Sequence, residues 1–226
     1  YTYLMGEHIK SIHSPWYYIP KWMAITTPIF YLFTFVASVV MLLMNLFKKR
    51  KAFFMDFENL YQCMVLCFLI IPVAVIIVLK STLYDSWRHV YFIFPFMIVS
   101  GLYALSALSS YLKKHAWIIV LITVFFTGYE LIKMTASHPY HYVYFNEFPS
   151  KKRNQIVQQN DFDYWGVSFK QAYEKILELD HRKVVKITST MTPAYFNFIL
   201  MKQNVKDCRL AFVNGDSLAD YYITNY

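Results

Sequence analysis

The stretch from Leu83 to Pro95 reads LYDSWRHVYFIFP, and it joins a long apolar run before it to another one after it. Asp85, Arg88 and His89 stand in this short connection, where a loop between two membrane segments needs only one or two polar residues. This charge at a membrane surface predicts contact with an anionic headgroup. The alternative is that Arg88 and His89 mark a helix end and extend towards the lipid headgroups.

The composition is that of a membrane protein. Hydrophobic residues make up 57% and aromatic residues 20% of the 226 residues, and the mean hydropathy is +0.32, far from an average soluble domain. The net charge is +8, but the basic residues cluster in the loops between apolar runs, where they orient a membrane protein. We therefore expect membrane lipid as a partner and no nucleic acid. The three cysteines have neither a disulfide framework nor a metal-site spacing.

Four apolar runs are long enough to cross about 30 Å of hydrocarbon as helices. They lie near residues 22–47, 60–79, 90–112 and 116–134. Thr26, Thr27 and Pro28, near the start of the first run, predict a bend or a tightened turn there. The third run carries small residues from Ser100 to Ser110 that favour close helix packing.

Basic residues predict the orientation of these spans. Lys48 to Lys51 follow the first run, and Lys113 and Lys114 follow the third. The positive-inside rule places both loops in the cytoplasm and places residues 1–21, 80–89 and everything after 137 outside.

The chain divides into a transmembrane region at 1–136, an interfacial segment and linker at 137–160, and a small domain at 161–226. In the last region, Ser168 and Gln171 form a capping box that predicts a helix start. Strand patterns at 183–188, 209–213 and 219–224 alternate with helical segments, as in an α/β sheet. The predicted fold is thus a polytopic α-helical membrane protein of about four spans, followed by a small extracytoplasmic α/β domain. We expect this domain to be truncated, because nothing after the last strand pattern would cover it.

Ionisable residues near the outer ends of the spans are candidate functional groups. Glu130 lies near the outer end of the fourth run. It has two interpretations, a functional role or an ion pair with Lys133, and the sequence leaves both open. His138 and His141 are three residues apart and would share a metal if helical, but Pro139 argues against a helix and no third ligand is visible. We therefore predict no metal site, and interfacial anchoring or substrate contact for these two histidines.

Three segments together resemble a known family. They read PWYYIP at 15–20, YDSWRH at 84–89 running into YFIFP at 91–95, and HPYHYVYFN at 138–146 followed by DYWG at 163–166. In this order they resemble the C-terminal half of a membrane glycosyltransferase of the GT-C class, similar to the protein O-mannosyltransferase and aminoarabinose transferase group. The chain departs from the family pattern at Ser86, where a glycine is expected.

The resemblance implies an enzyme of the bacterial inner (plasma) membrane. It would transfer a sugar from a polyprenyl-phosphate donor to a glycan, lipid or protein acceptor on the outer face. Arg88 matches the arginine that binds the donor phosphate, and a guanidinium fork suits phosphate oxygens. The other substrate-binding candidates are Tyr84, Asp85, His89, His138, His141 and Asn146.

The catalytic residue is not assigned. The family's catalytic carboxylate lies in a first outer loop that this sequence does not contain, so we expect the base upstream of it. Glu7 and Glu130 remain candidates for that role. No cofactor is expected, although a divalent metal is left open. The alternative function is a non-catalytic membrane subunit or a transporter that handles lipid-linked glycans, and an acidic first outer loop upstream would separate the two.

Overall fold

A computed structural model describes residues 2–4, 7–10, 14–83, 86–147, 163–206 and 208–224. The chain splits into two compact units, Tyr1–Asn160 and Asp161–Tyr226. Within its described residues, the first unit has a short antiparallel hairpin and five α-helices. These elements are β1 (Thr2–Leu4), β2 (Glu7–Ile9), α1 (Tyr18–Thr26), α2 (Ile29–Lys49), α3 (Phe57–Val78), α4 (Phe94–Leu112) and α5 (Trp117–Ala136).

The helices α2 to α5, with the 3-10 turns attached to them, are long and apolar enough to cross a membrane. Many of their large apolar side chains point away from the protein; Phe33 is 71% exposed and Phe125 is 68% exposed. Such a surface is unfavourable in water and favourable in lipid hydrocarbon. The chain is therefore an integral membrane protein, and the part of it that the structure describes has four candidate membrane-spanning helices.

The first predicted span is divided in two. Helix α1 ends at Thr26, Thr27 is extended with φ −96° and ψ 135°, and α2 begins after Pro28. The residue before a proline avoids helical geometry because the proline ring clashes with its backbone. The sequence predicted a bend within one span at 22–47; the structure has a complete break, and the membrane-crossing helix begins at Ile29.

Small residues bring α2 and α4 into close contact. A Cβ atom on Gly101 would lie 2.6 Å from Oγ1 of Thr34. Ser38 and Ser100 are buried and their hydroxyl oxygens are 2.6 Å apart, while the Gln62 amide of α3 donates to the Ser100 hydroxyl at 2.5 Å. The predicted small-residue face of the third span is therefore confirmed at Ser100 and Gly101, and hydrogen bonds between side chains join the three helices.

The second unit is a parallel sheet packed against two helices. Its elements are α6 (Ser168–Leu179), β3 (Val185–Thr188), α7 (Thr192–Asn204), β4 (Leu210–Phe212) and β5 (Tyr221–Tyr222). The strand order is β4-β3-β5, and β3 pairs in parallel with both neighbours. Phe169, Tyr173, Val185, Ile187 and Ala194 form its buried core. All three predicted strand patterns thus contain strands, each shorter than its pattern.

The start of α6 differs from the predicted capping box. Ser168 is the first helical residue, and the buried carboxylate of Asp163 accepts hydrogen bonds from the backbone of Val167 and Ser168, both at 3.0 Å. Gly166 makes this turn possible, because its φ is 66° and a Cβ there would lie 2.5 Å from Cβ of Pro193. The capping side chain therefore comes from five residues upstream of Ser168.

Candidate functional site

One end of the helical bundle is held by a buried group of side chains that we call the end cluster. It consists of Tyr18, Ile19, Trp22, Leu69, Leu83, Trp87, Val90, Ile93 and Met97. Phe145 packs against it, with its ring centroid 6.1 Å from that of Trp22. Each of the segments 15–20, 84–95 and 138–146 thus contributes side chains to, or packs on, this one cluster.

Arg88 lies at the edge of the end cluster. It opens a 3-10 turn (Arg88–Ile93) that leads into α4, and it stands between the buried residues Trp87 and Val90. The Trp87 indole donates a hydrogen bond to Oγ1 of Thr26 at 2.8 Å. This bond fixes the backbone beside Arg88, which is half-buried, whereas His89 is exposed. The other two candidates from this connection, Tyr84 and Asp85, lie outside the described residues.

Ser86 has a backbone that glycine would favour. Its φ is 66°, in the left-handed region, and the residue is buried. A side chain at Cβ is disfavoured there and glycine is not. The resemblance predicts glycine at this position. This chain has serine instead, but the backbone has the conformation that glycine adopts readily.

Asn146 joins the segment after α5 to the break between α1 and α2. It is fully buried, and its side-chain amide donates to the carbonyl oxygens of Ala24 and Thr27, both at 2.7 Å. Its backbone N–H donates to Ile25 at 2.9 Å. The last carbonyls of a helix lack partners within the helix, and Asn146 supplies donors to them. This role is structural; contact of Asn146 with a substrate stays a prediction.

Four polar residues form a second group near the end of α5, which we call the Lys133 cluster. It contains Glu130, Lys133, Tyr144 and Glu147. The Tyr144 hydroxyl donates to Glu130 at 3.1 Å, and the Lys133 ammonium donates to Glu130 at 3.4 Å, to Tyr144 at 3.3 Å and to Glu147. Glu130 is only 9% exposed. The contact between Glu130 and Lys133 is the ion pair that the sequence left open.

Two members of this cluster outside the spans have shifted pKa values. Burial raises the pKa of the Tyr144 hydroxyl well above its ordinary value, so it stays a neutral donor. Burial acts in the same direction on Glu147, but the hydrogen bond and charge of Lys133 outweigh it and lower the pKa of this carboxyl. Tyr144 is thus a neutral donor, and Glu147 is a carboxylate that pairs with the Lys133 ammonium.

A cavity of about 670 Å³ runs from this cluster along the faces of α2 and α5. The Phe30 and Phe126 rings stack across these helices with centroids 4.9 Å apart. The cavity is lined by Tyr129, Glu130 and Glu147 at one end, and the rest of its lining is apolar. The apolar residues are Ile29, Phe30, Phe33, Ile122, Phe125 and Phe126. A ligand that fits this cavity has a hydrocarbon portion and a polar end.

His138 and His141 contact each other after the end of α5. The two side chains are exposed, and Nδ1 of His138 lies 3.1 Å from Nε2 of His141. Within the described ranges, no three His, Cys, Asp or Glu residues are grouped so that they could hold a metal ion.

Sequence reasoning missed how three of these residues act. It named Glu130 and Lys133 from their spacing, but it gave no role to Glu147 or Tyr144 and did not predict that Asn146 binds the carbonyls at the end of α1. The only signal was the polar Asn146 and Glu147 at the end of an aromatic segment that follows a short turn after α5. Their partners are set by how the chain folds back, which spacing does not encode.

Comparison of the sequence with protein-family models, with curated proteins and with solved structures gave no match.

Proposed function

We propose that this chain is part of a membrane glycosyltransferase of the GT-C class, which transfers a sugar from a polyprenyl-phosphate donor to an acceptor at the outer face of the membrane. The observation that carries the proposal is the end cluster. The segments 15–20, 84–95 and 138–146, which carry the resemblance, are far apart in sequence and meet at this cluster. Residues of separate segments that assemble at one end of a bundle are a common way to build a binding site.

Arg88 is the residue that we assign to the donor phosphate. Its neighbours Trp87 and Val90 are buried, which holds the backbone in place, and Arg88 itself is half-buried. Partial removal from water strengthens a charge-assisted contact, and the planar fork of donors matches two phosphate oxygens.

The cavity beside the Lys133 cluster suits an amphipathic substrate. Its apolar walls on α2 and α5 would take isoprenoid hydrocarbon, and Glu130 and Glu147 at its polar end would accept hydrogen bonds from hydroxyl groups. We assign no catalytic base, because a base must be placed against a substrate proton.

We propose that the end cluster faces the outside of the cell. Helices α2 and α4 both run from this end to basic turns, Arg50–Met55 after Lys48 and Lys49, and Lys113–His115. The basic residues thus lie at the opposite end of the bundle, as the positive-inside rule requires for the cytoplasmic face. The bacterial inner membrane remains the setting that the resemblance implies.

Binding of a polyprenyl phosphate to purified Arg88 variants of the complete protein tests the proposal. Loss of a charge-assisted hydrogen bond costs about 1.5–3 kcal/mol, so Arg88→Ala should bind roughly 10- to 150-fold more weakly. Arg88→Lys should also bind more weakly, because an ammonium makes no bidentate contact. Arg50→Lys, at the basic end of the bundle, is the matched control and should bind as the wild type does.

Normal binding by Arg88→Ala would refute the assignment of the phosphate site. Sugar transfer from a lipid-linked donor, measured in the same membranes, separates the two functions. The transferase should release the sugar to an acceptor and lose this activity with Arg88→Lys. Donor binding without any transfer would support the subunit or transporter instead.

A further inference from the structure

The two histidines after α5 have ring nitrogens at the distance that separates two ligands on one metal ion. Zinc binds histidine nitrogen at about 2.0–2.1 Å. With Nδ1 of His138 and Nε2 of His141 3.1 Å apart, an ion at that distance from both would subtend an N–metal–N angle of about 100°. This angle lies between those of octahedral and tetrahedral coordination. The nitrogens are therefore already at the distance that a shared ion needs, and the rings have only to turn so that both lone pairs point at the ion.

The backbone that carries the pair is held at both ends. Before it, the N–H of His138 lies 3.4 Å from the Thr135 carbonyl and the N–H of Tyr140 lies 2.6 Å from the Ser137 carbonyl. After it, Tyr144 and Asn146 hold the chain through the contacts with Glu130 and with α1. The turn thus brings the rings together without a helix, so Pro139 does not prevent the two histidines from sharing an ion. A preformed pair loses less conformational entropy when it binds.

We propose that His138 and His141 form a two-nitrogen site for a divalent transition-metal ion such as Zn²⁺. Imidazole is a ligand for zinc, copper and nickel. Binding requires a lone pair on both facing nitrogens, so the proton between the rings moves to the far nitrogen of its ring. Both side chains are exposed, which leaves the other coordination positions to water or to an oxygen atom of a bound ligand, as in open zinc sites. This inference does not depend on the glycosyltransferase proposal.

Isothermal titration calorimetry with Zn²⁺ tests the site. It uses the purified complete protein, prepared without a histidine tag. The double variant His138→Ala/His141→Ala should lose a binding event that the wild type shows. The control His115→Ala/His181→Ala removes two other exposed histidines and should keep it. Changes to groups that only hydrogen bond to a metal's ligands reduce metal affinity by about 10- to 100-fold, so loss of one ligand in His141→Gln should reduce it at least that much. The glutamine can still hydrogen bond to His138, which guards against a folding defect.

Electron paramagnetic resonance with one equivalent of Cu²⁺ gives an independent readout. The wild type should show hyperfine coupling to two imidazole nitrogens, and His138→Ala should show coupling to one fewer. Copper should also bind more tightly than zinc, following the Irving–Williams order. An equal zinc affinity in His141→Gln and wild type, or an unchanged copper spectrum in His138→Ala, would show that the rings merely hydrogen bond to each other and would overturn the proposal.

Discussion

Replacing Asn146 with alanine removes two buried hydrogen bonds at the break between α1 and α2. Both bonds are 2.7 Å long and end on the carbonyls of Ala24 and Thr27. At about 0.5–1.5 kcal/mol each, the two bonds contribute about 1–3 kcal/mol. The average within lipid bilayers is about 0.6 kcal/mol per bond, or about 1.2 kcal/mol for two bonds, which lies near the low end of this range. We expect a loss of about 2 kcal/mol in the free energy of unfolding.

Thermal unfolding of the purified protein in detergent measures this loss. For a chain of this size, 1 kcal/mol corresponds to about 2–4 °C, so Asn146→Ala should lower Tm by about 4–8 °C. Asn146→Asp keeps the shape but turns an oxygen acceptor towards the two carbonyl oxygens, so it should lower Tm further. Asn204→Ala is the matched control. Its amide donates to Leu200 at 2.8 Å in an exposed position, and such surface changes usually stay within about 0.5 kcal/mol. An Asn146→Asp variant as stable as wild type would refute the reasoning.

Two further predictions concern helix packing and pH. Gly101→Ala should lower Tm, because its Cβ would overlap Thr34 between α2 and α4. A Cβ at Gly128 would have no other atom within 4 Å, so Gly128→Ala should leave Tm unchanged or slightly higher. Equal Tm values for the two variants would contradict the close packing. In the second unit, the hydrogen bonds of Arg182 hold the pKa of Asp180 below its unfolded value of about 3.9. Asp180 therefore stabilises the fold above about pH 4, and this contribution is lost as the pH falls towards the folded pKa. Pulse proteolysis with pepsin in a urea series measures the urea concentration at which half of the protein is unfolded. This midpoint should fall between about pH 4.5 and 2.5 in wild type and should fall less in Asp180→Asn. Equal falls in the two proteins would exclude this role.

The sequence predicted elements whose cause is local and missed those whose cause is distant. Apolar runs identified all four candidate spans, because crossing a bilayer depends on length and hydropathy alone. The break at Pro28 was predicted only as a bend, since a proline's effect depends on whether other groups satisfy the carbonyls it leaves free. Those groups come from Asn146, more than a hundred residues later. The sequence signal was an asparagine in an aromatic segment, which points equally to a substrate contact.

The start of α6 shows the same limit on a smaller scale. Ser168 with Gln171 satisfies the capping-box pattern, but the two carboxylate oxygens of Asp163 accept hydrogen bonds from the backbone N–H groups of Val167 and Ser168 instead. A charged acceptor makes the stronger bond at a helix N-terminus. The pattern could not rank the two candidates, because the turn through Gly166 that brings Asp163 back is visible only in the fold.

The contact between Asn146 and α1 sets an order for biosynthesis. The two residues that it joins, Ala24 and Asn146, are 122 positions apart, and four candidate spans are made between them. Domains fold in the direction of synthesis where they can, but the carboxyl end of α1 has no donor from Asn146 until α5 has left the ribosome. A nascent chain that stops before residue 146 therefore carries α1 without these donors, and the contacts of Phe145 and Asn146 with α1 form only after α5 has been made.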